Sequence, residues 1–196
     1  KNIFYGLYAR TGSYFENSDL KASGPPGPDE LKLLEPFKDK LSKAVFEAPY
    51  VSPTSDGSGM NRESMKLAAK LLDDAGWKIK DGKRTNANGE ILTIEFLLEE
   101  PSLLRVIGPF EKNLKLLGLE FAARQVDSAQ YENRVKAYEF DMIIQRYIMS
   151  STPGVELKNF WSSEAAKMAG SRNLPGISNP VVDALIDKVI EAKSRP

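Results

Sequence analysis

Cysteine and histidine are both missing from the 196 residues. Without cysteine there is no disulfide, no thiolate metal site and no thiol nucleophile. Without histidine there is no Ser-His-Asp relay, no His-ligated zinc and no side chain that titrates unaided near neutral pH. An excess of either charge is missing too: 27 Lys and Arg balance 27 Asp and Glu. A nucleic-acid partner needs cationic side chains in surplus to displace counterions, so none is expected. No apolar run approaches the roughly 20 residues that cross a bilayer. What is present, 41% apolar and 28% charged residues, suits a globular domain with a real core. The first residue is Lys1 rather than Met, which gives the expectation of a piece cut from a longer, exported polypeptide whose signal peptide lies outside it.

The first sixty residues read as a wrapping, irregular segment. Lys1 to Ala9 alternates well enough for a strand. Two Pro/Gly/Ser-rich stretches, Ala22 to Pro28 and Pro49 to Gly59, break regular structure. Between them Asp29 is expected to cap a short helix interrupted at Pro36. Tyr14, Phe15, Phe37, Phe46 and Tyr50 are expected to anchor this segment.

Regular grammar begins at Asn61, an N-cap for a helix with Met65, Ala68, Leu71, Leu72 and Ala75 on one face and Gly76 at its stop. Asp81-Gly82 and Asn88-Gly89 mark turns of a small hairpin arm. Ile91 to Leu98 reads as a strand, Ser102 to Leu117 as a helix with Pro109 kinking it, and Leu119 to Val126 as a second strand. Strand, helix, strand with short joins predicts parallel pairing. Ser128 to Tyr138 is a further helix, Phe140 to Met149 a third strand buried on both faces, and Ser178-Asn179-Pro180 caps a last helix bearing Val181, Leu185, Ile186, Val189 and Ile190. The expected fold class is α/β: a mixed, partly parallel sheet with flanking helices, one lobe over 1–196, with 61–196 as its core.

The ordered set Tyr14-Phe-Glu-Asn-Ser18, Asp56-Gly-Ser-Gly59, Ala69 to Trp77, Asn113 to Gly118, Val126 to Tyr131, Phe140-Asp-Met142, Asn159-Phe-Trp161, Gly170 to Asn173 and Asn179 to Ile186 resembles the dipeptide/oligopeptide (family 5) extracellular solute-binding proteins, within them the Yej-type branch. The resemblance implies the C-terminal lobe of a type II (cluster C) periplasmic binding protein. It implies a periplasmic location, a peptide or peptide-like cargo, an opposing N-terminal lobe and delivery to an ABC permease in the inner membrane. No cofactor, metal or catalysis is implied.

In such proteins the loop after the third strand presents an aromatic and an acidic residue to the solute. Tyr147 fills the aromatic position here. Met149 or Ser150 stands where the acid would be, with Glu156 as a substitute. A peptide receptor needs aromatic surface, directional hydrogen bonds and charge for termini, and α/β sheets place ligands at the C-terminal ends of parallel strands. The ligand-facing set expected on these grounds is Arg146, Tyr147, Ser150, Ser151, Asn159, Trp161, Arg172 and Asn173, with Arg172 suited to a carboxylate. Structural roles compete: Trp161 packing its loop, Arg146 pairing with Asp141 or Glu156, Arg172-Asn173 shaping a turn. Asp183 and Asp187 read as a solvated helix face, and Asp73-Asp74 and Glu99-Glu100 as surface acids. Two other functions stay open: a solute-sensing module fused to a regulatory domain, and a Ser/Lys hydrolase.

Overall fold

In a computed structural model, which describes residues 3–54 and 57–192, the helices are α1 (Pro28–Leu34), α2 (Ala44–Glu47), α3 (Arg62–Asp74), α4 (Leu104–Leu116), α5 (Ser128–Lys136), α6 (Glu156–Trp161) and α7 (Pro180–Glu191). The strands are β1 (Lys78–Lys80), β2 (Lys83–Thr85), β3 (Thr93–Leu98) and β4 (Glu120–Gln125). The chain divides into two units. One comprises Lys1–Ala9, Thr54–Val135 and Glu139–Gln145; the other comprises Arg10–Pro53, Lys136–Tyr138 and Arg146–Pro196.

In the first unit the capping signals act as read. Asn61 accepts the Ser64 N–H at 3.0 Å and starts α3, and Gly76 follows its end at φ +87°. Asp81 and Gly82 both have positive φ, so β1 and β2 close on a two-residue turn whose twist matches the strands. β3 and β4 pair in parallel, Thr93 opposite Glu120 through Leu98 opposite Gln125, with α4 as the crossover. Phe96, Leu98, Ile107 and Phe121 form the buried core, flanked by Ile94, Leu103, Leu114 and Met142. Alternation along β3 puts Ile94, Phe96 and Leu98 on that core face. Glu95 belongs to the other, where it pairs with Arg134 at 2.7 Å and with Arg124 at 3.4 Å. Pro109 lies inside α4 without ending the helix. It removes only the N–H that would have bonded the Arg105 carbonyl.

Arg84 is a feature the pattern did not announce. Its residue is 3% exposed. The guanidinium donates to Asp73 at 2.5 Å and to the carbonyls of Trp77 and Leu117 at 2.8 and 2.9 Å. It thereby ties the end of α3, the hairpin and the end of α4. Asp73 is therefore a partner and not a free surface acid, while Asp74 pairs with Lys70 one helical turn back. Beside it, Gly118 has φ +87°, and a Cβ there would lie 2.6 Å from Ile79 Cδ1 and 3.2 Å from the Gly82 carbonyl oxygen.

Three expectations are corrected. The third strand is reduced to one parallel bridge, Met142 to Phe96, with hydrogen bonds from Leu97 N to Met142 O and from Met142 N to Glu95 O. An apolar run becomes a ladder only where a neighbour pairs along it. Beyond Met142 none of the described residues does, and Ile148 is 87% exposed. Ile3 to Ala9 forms turn and irregular backbone rather than a strand; Lys1 and Asn2 lie outside the described residues. Finally, α1 is capped by Gly27, whose N–H donates to the Glu30 carboxylate at 2.6 Å, and Asp29 stands one position inside Pro28. The break at Pro36 occurs as expected, with a 3-10 turn over Glu35–Lys40.

The second unit buries Leu157 and Phe160 of α6, Ala165, and Val181 and Ile186 of α7. Asn179 caps α7 by accepting the Val181 N–H at 2.9 Å. Asp183 and Asp187 do more than face solvent. Asp183 accepts the Ser163 N–H at 2.8 Å, and Asp187 pairs with Lys158 at 2.9 Å, so both tie α7 to the α6 segment.

Candidate functional site

All eight residues singled out in the sequence fall in the second unit, and they part into three groups there. Tyr147 and Trp161 come together, ring centroids 5.1 Å apart. Phe160 joins at 5.7 Å from Tyr147, and Tyr14 at 4.6 Å from Trp161 and 5.7 Å from Tyr147. Tilted and edge-on pairs of this kind set the positive rim of one ring against the negative face of the next. The helical turn of α6 explains the local arrangement: Phe160 points into the unit and is buried, while Trp161, one residue on, is left half-buried at its surface.

Arg172 and Asn159 border this cluster. The Arg172 guanidinium sits 5.2 Å over the Phe160 ring, a cation–π placement. Its backbone N–H donates to Asn159 Oδ1 at 3.4 Å, and its carbonyl accepts the Tyr147 hydroxyl at 3.3 Å. Burial, followed by the neighbouring Tyr14, pushes the Tyr147 phenol above the ordinary tyrosine range. Tyr147 is therefore a neutral hydrogen-bond donor throughout the physiological range.

Arg146, Ser150 and Ser151 are exposed. Ser150 turns inward on its own loop, its hydroxyl accepting the Thr152 N–H at 3.1 Å. Arg146 pairs with no carboxylate among the described residues; Asp141 accepts the Glu95 N–H and Glu156 the Gly154 N–H instead.

Asn173 leaves the ligand-facing set. It is 0% exposed. Its amide donates to the carbonyls of Ser162 and Ile177 at 2.9 and 2.8 Å, and its Oδ1 accepts the Ile177 N–H at 2.9 Å. Every polar atom is spent inside the fold, so it shapes the segment from Ser162 to Ile177. Ser171, also buried, meets the Tyr138 hydroxyl at 2.5 Å.

Trp161 lines a cleft of about 570 Å³ together with Thr11, Gly12, Ser13, Tyr14, Phe15 and Tyr50. Sequence reasoning treated Tyr14, Phe15 and Tyr50 as anchors and assigned none of them to a site. Their signal was two tyrosines in stretches with neither helical nor strand period, where no core-facing pattern accounts for a large ring. The lip is pinned by Glu16, which accepts the Gly12 N–H at 2.8 Å and pairs with Lys21. The Lys21 ammonium and the Gly12 N–H hold the Glu16 carboxyl below the usual glutamate range.

A second, more polar cleft of about 890 Å³ lies in the first unit at the C-terminal ends of β3 and β4. Glu99, Arg124, Gln125, Asp127, Ser128 and Arg134 line it. Glu99 is thus a cleft residue rather than a plain surface acid. General α/β architecture places ligands at this end of a parallel sheet, and the sequence reading applied that rule to a different loop.

Among the described residues no helix is long and apolar enough to cross a membrane, and no group of acidic side chains is arranged to hold a metal ion. The model of the bacterial extracellular solute-binding proteins, family 5 Middle, matches residues 1–168. The chain is 38% identical over 196 residues to the probable peptide-binding protein YejA of Agrobacterium fabrum, covering all of this chain and 32% of that protein. It is 36% identical over 195 residues to the peptidoglycan-binding protein YepA of the same organism, covering 99% of this chain and 32% of the relative. The chain thus spans about a third of the length of these relatives. In fold it is similar to the oligopeptide-binding protein AppA of Bacillus subtilis, solved with a nonapeptide: TM-score 0.57 at 17% identity, over 84% of this chain and 34% of that one.

Proposed function

Because the chain belongs to the bacterial extracellular solute-binding proteins of family 5, we propose that it is one lobe of a periplasmic receptor that captures peptides or peptide-like solutes for an ABC permease. The observation that carries this reading is the cluster of Tyr14, Tyr147 and Trp161, which borders a cleft and has the Arg172 guanidinium beside it. Aromatic surface gives affinity without demanding one side chain, and a single cation gives direction to a solute that ends in a carboxylate. Names of relatives, one for peptide and one for peptidoglycan, agree with a cargo of peptide character. An opposing lobe, in the part of the relatives' length outside this chain, would close over the solute and expel water from both faces.

His and Cys are absent from the sequence, and family membership supports a receptor over a hydrolase or a sensing module. Arg146, Tyr147, Ser150, Ser151, Asn159, Trp161 and Arg172 are the proposed ligand-facing residues of this lobe, with Asn173 holding the segment behind them.

Mass spectrometry of solutes that co-purify with the complete protein tests the cargo, and calorimetry of Trp161→Ala and Arg172→Ala tests the site. Peptide affinity is expected to fall about tenfold or more in each variant. Unchanged affinity in both removes the cluster from the site. Stoichiometric labelling of a serine by a fluorophosphonate replaces the receptor with an enzyme.

A further inference from the structure

Among the described residues β4 carries a ladder on one side only. Its neighbour there is β3. Glu120 N donates to Leu92 O at 3.0 Å and Val126 N to Leu98 O at 3.0 Å. Alternation then assigns the backbone groups of Glu120, Ala122, Arg124 and Val126 to β3 and turns those of Phe121, Ala123 and Gln125 outward. No backbone hydrogen bond from another described segment reaches these three outward positions.

An open edge is a template for another extended chain, and folded proteins commonly blunt it with charge or proline. β4, Glu-Phe-Ala-Ala-Arg-Gln, has no proline. Its two charged residues, Glu120 and Arg124, have opposite signs and stand four positions apart, so both lie on one face. A pair of like sign would repel a second copy of the strand; this pair matches one. Lys83 and Glu95, their partners within the fold at 2.5 and 3.4 Å, leave the Glu120 and Arg124 side chains 44% and 63% exposed. Both can take a further ionic contact. Phe110 packs edge-on against Phe121 at 6.0 Å and is still 42% exposed, a large ring left partly in water.

Two conditions set the register of a self-pairing. Outward backbone groups must oppose outward groups, and the pairing must map onto itself under a two-fold axis. With the axis at Ala122, Phe121 faces Ala123 of the second copy at two symmetric places, and each such pair exchanges two N–H···O bonds. Glu120 then faces Arg124 of the second copy, also twice. The two Ala122 residues meet at the centre, a non-hydrogen-bonded position where Cα atoms approach to about 4.5 Å and small side chains fit. An axis at Phe121 or Ala123 sets a charge against Ala122 instead, and one at Glu120 or Arg124 brings like charges together.

We propose that β4 is a self-association edge, along which two copies of the protein pair antiparallel about Ala122 into a symmetric dimer with one sheet running through the interface. This goes beyond the receptor reading and does not depend on it.

Sedimentation of the complete protein over a concentration series up to roughly 1 mM tests the proposal, since so short an edge supports a weak, concentration-dependent dimer. Arg124→Glu sets carboxylates opposite each other at both ends and is expected to weaken the dimer about tenfold. Glu120→Arg combined with Arg124→Glu restores opposite signs and is expected to recover it, with circular dichroism confirming that each variant is folded. Amide exchange needs no variant: the Phe121 and Ala123 N–H groups are expected to exchange fast in dilute protein and slowly in concentrated protein. A monomer at every concentration overturns the proposal. So does a dimer indifferent to Arg124→Glu, which uses another face, or one that the double variant fails to recover, which pairs in another register. Phe121 and Ala123 amides already protected in dilute protein also overturn it, because another segment of the polypeptide then covers the edge.

Discussion

Removing the Arg84 side chain is expected to cost the first unit about 3–5 kcal/mol, a large share of the roughly 5–15 kcal/mol that keeps a domain folded. The figure is built from the bonds that are lost. In Arg84→Ala the carbonyls of Leu117 and Trp77 lose donors at 2.9 and 2.8 Å. Each group left unmet in the interior costs about 1–3 kcal/mol. The Asp73 side chain is 45% exposed and recovers water, so the ionic part adds only about 1 kcal/mol or less. The void left by the buried stem adds to the loss. Asp73→Asn keeps an acceptor in place and should cost only about 1 kcal/mol. Arg84→Met preserves volume but not the donors, and should fall near Arg84→Ala. Urea unfolding followed by circular dichroism and by the fluorescence of Trp77 measures all three. A loss below about 1 kcal/mol for Arg84→Ala, or equal losses for Arg84→Ala and Asp73→Asn, would refute the argument that the carbonyls dominate.

Further outcomes follow from other elements. Gly118→Ala should destabilise by about 2–5 kcal/mol, since a left-handed φ costs an L-residue roughly 1–2 kcal/mol and the contacts with Ile79 and Gly82 about as much again or more; a thermal melt unchanged within error would contradict the geometry. Asn173→Asp sets a carboxylate oxygen against the carbonyls of Ser162 and Ile177, and is expected to cost about 2–4 kcal/mol, more than the substitution Arg172→Ala at its exposed neighbour. In an ultraviolet titration the Tyr147 phenol should ionise later than a free tyrosine, and Tyr14→Phe should bring it part of the way back. Its sign for stability is fixed: the folded state keeps the proton that the unfolded chain releases near pH 10, so this contribution is whole below about pH 10 and fades as pH climbs toward the folded value. A Tyr147 midpoint at or below that of free tyrosine would remove the burial argument.

Much of the fold was readable because the decisive interactions are short in sequence. Asn61 with Ser64, Asn179 with Val181, the Asp81-Gly82 turn and Gly76 act over two to four residues, a span in which residue type alone sets the backbone. The parallel pairing of β3 and β4 followed from the short joins around α4, because neighbouring strands that run the same way need a crossover connection and α4 supplies it. Of the residues proposed as ligand-facing from the sequence, Tyr147, Trp161 and Arg172 gather around Phe160 in the second unit.

What required the tertiary structure is everything whose partners are distant. Phe140 to Met149 carries the apolar pattern of a strand, yet pattern does not supply the neighbour that makes a ladder, and only Met142 finds one. Arg84 looks like any surface arginine until α3 and the end of α4 converge on it from 11 and 33 residues away. Asn173 looks like a turn residue open to solvent until Ser162 and Ile177 enclose it. Tyr14 reaches Trp161 across 147 positions of chain, and no local rule carries information over that length. The sequence by itself thus determined the class of the fold, its helix ends and the kind of chemistry the chain lacks. Burial and long-range pairing decided which polar groups are structural and which rings stay exposed.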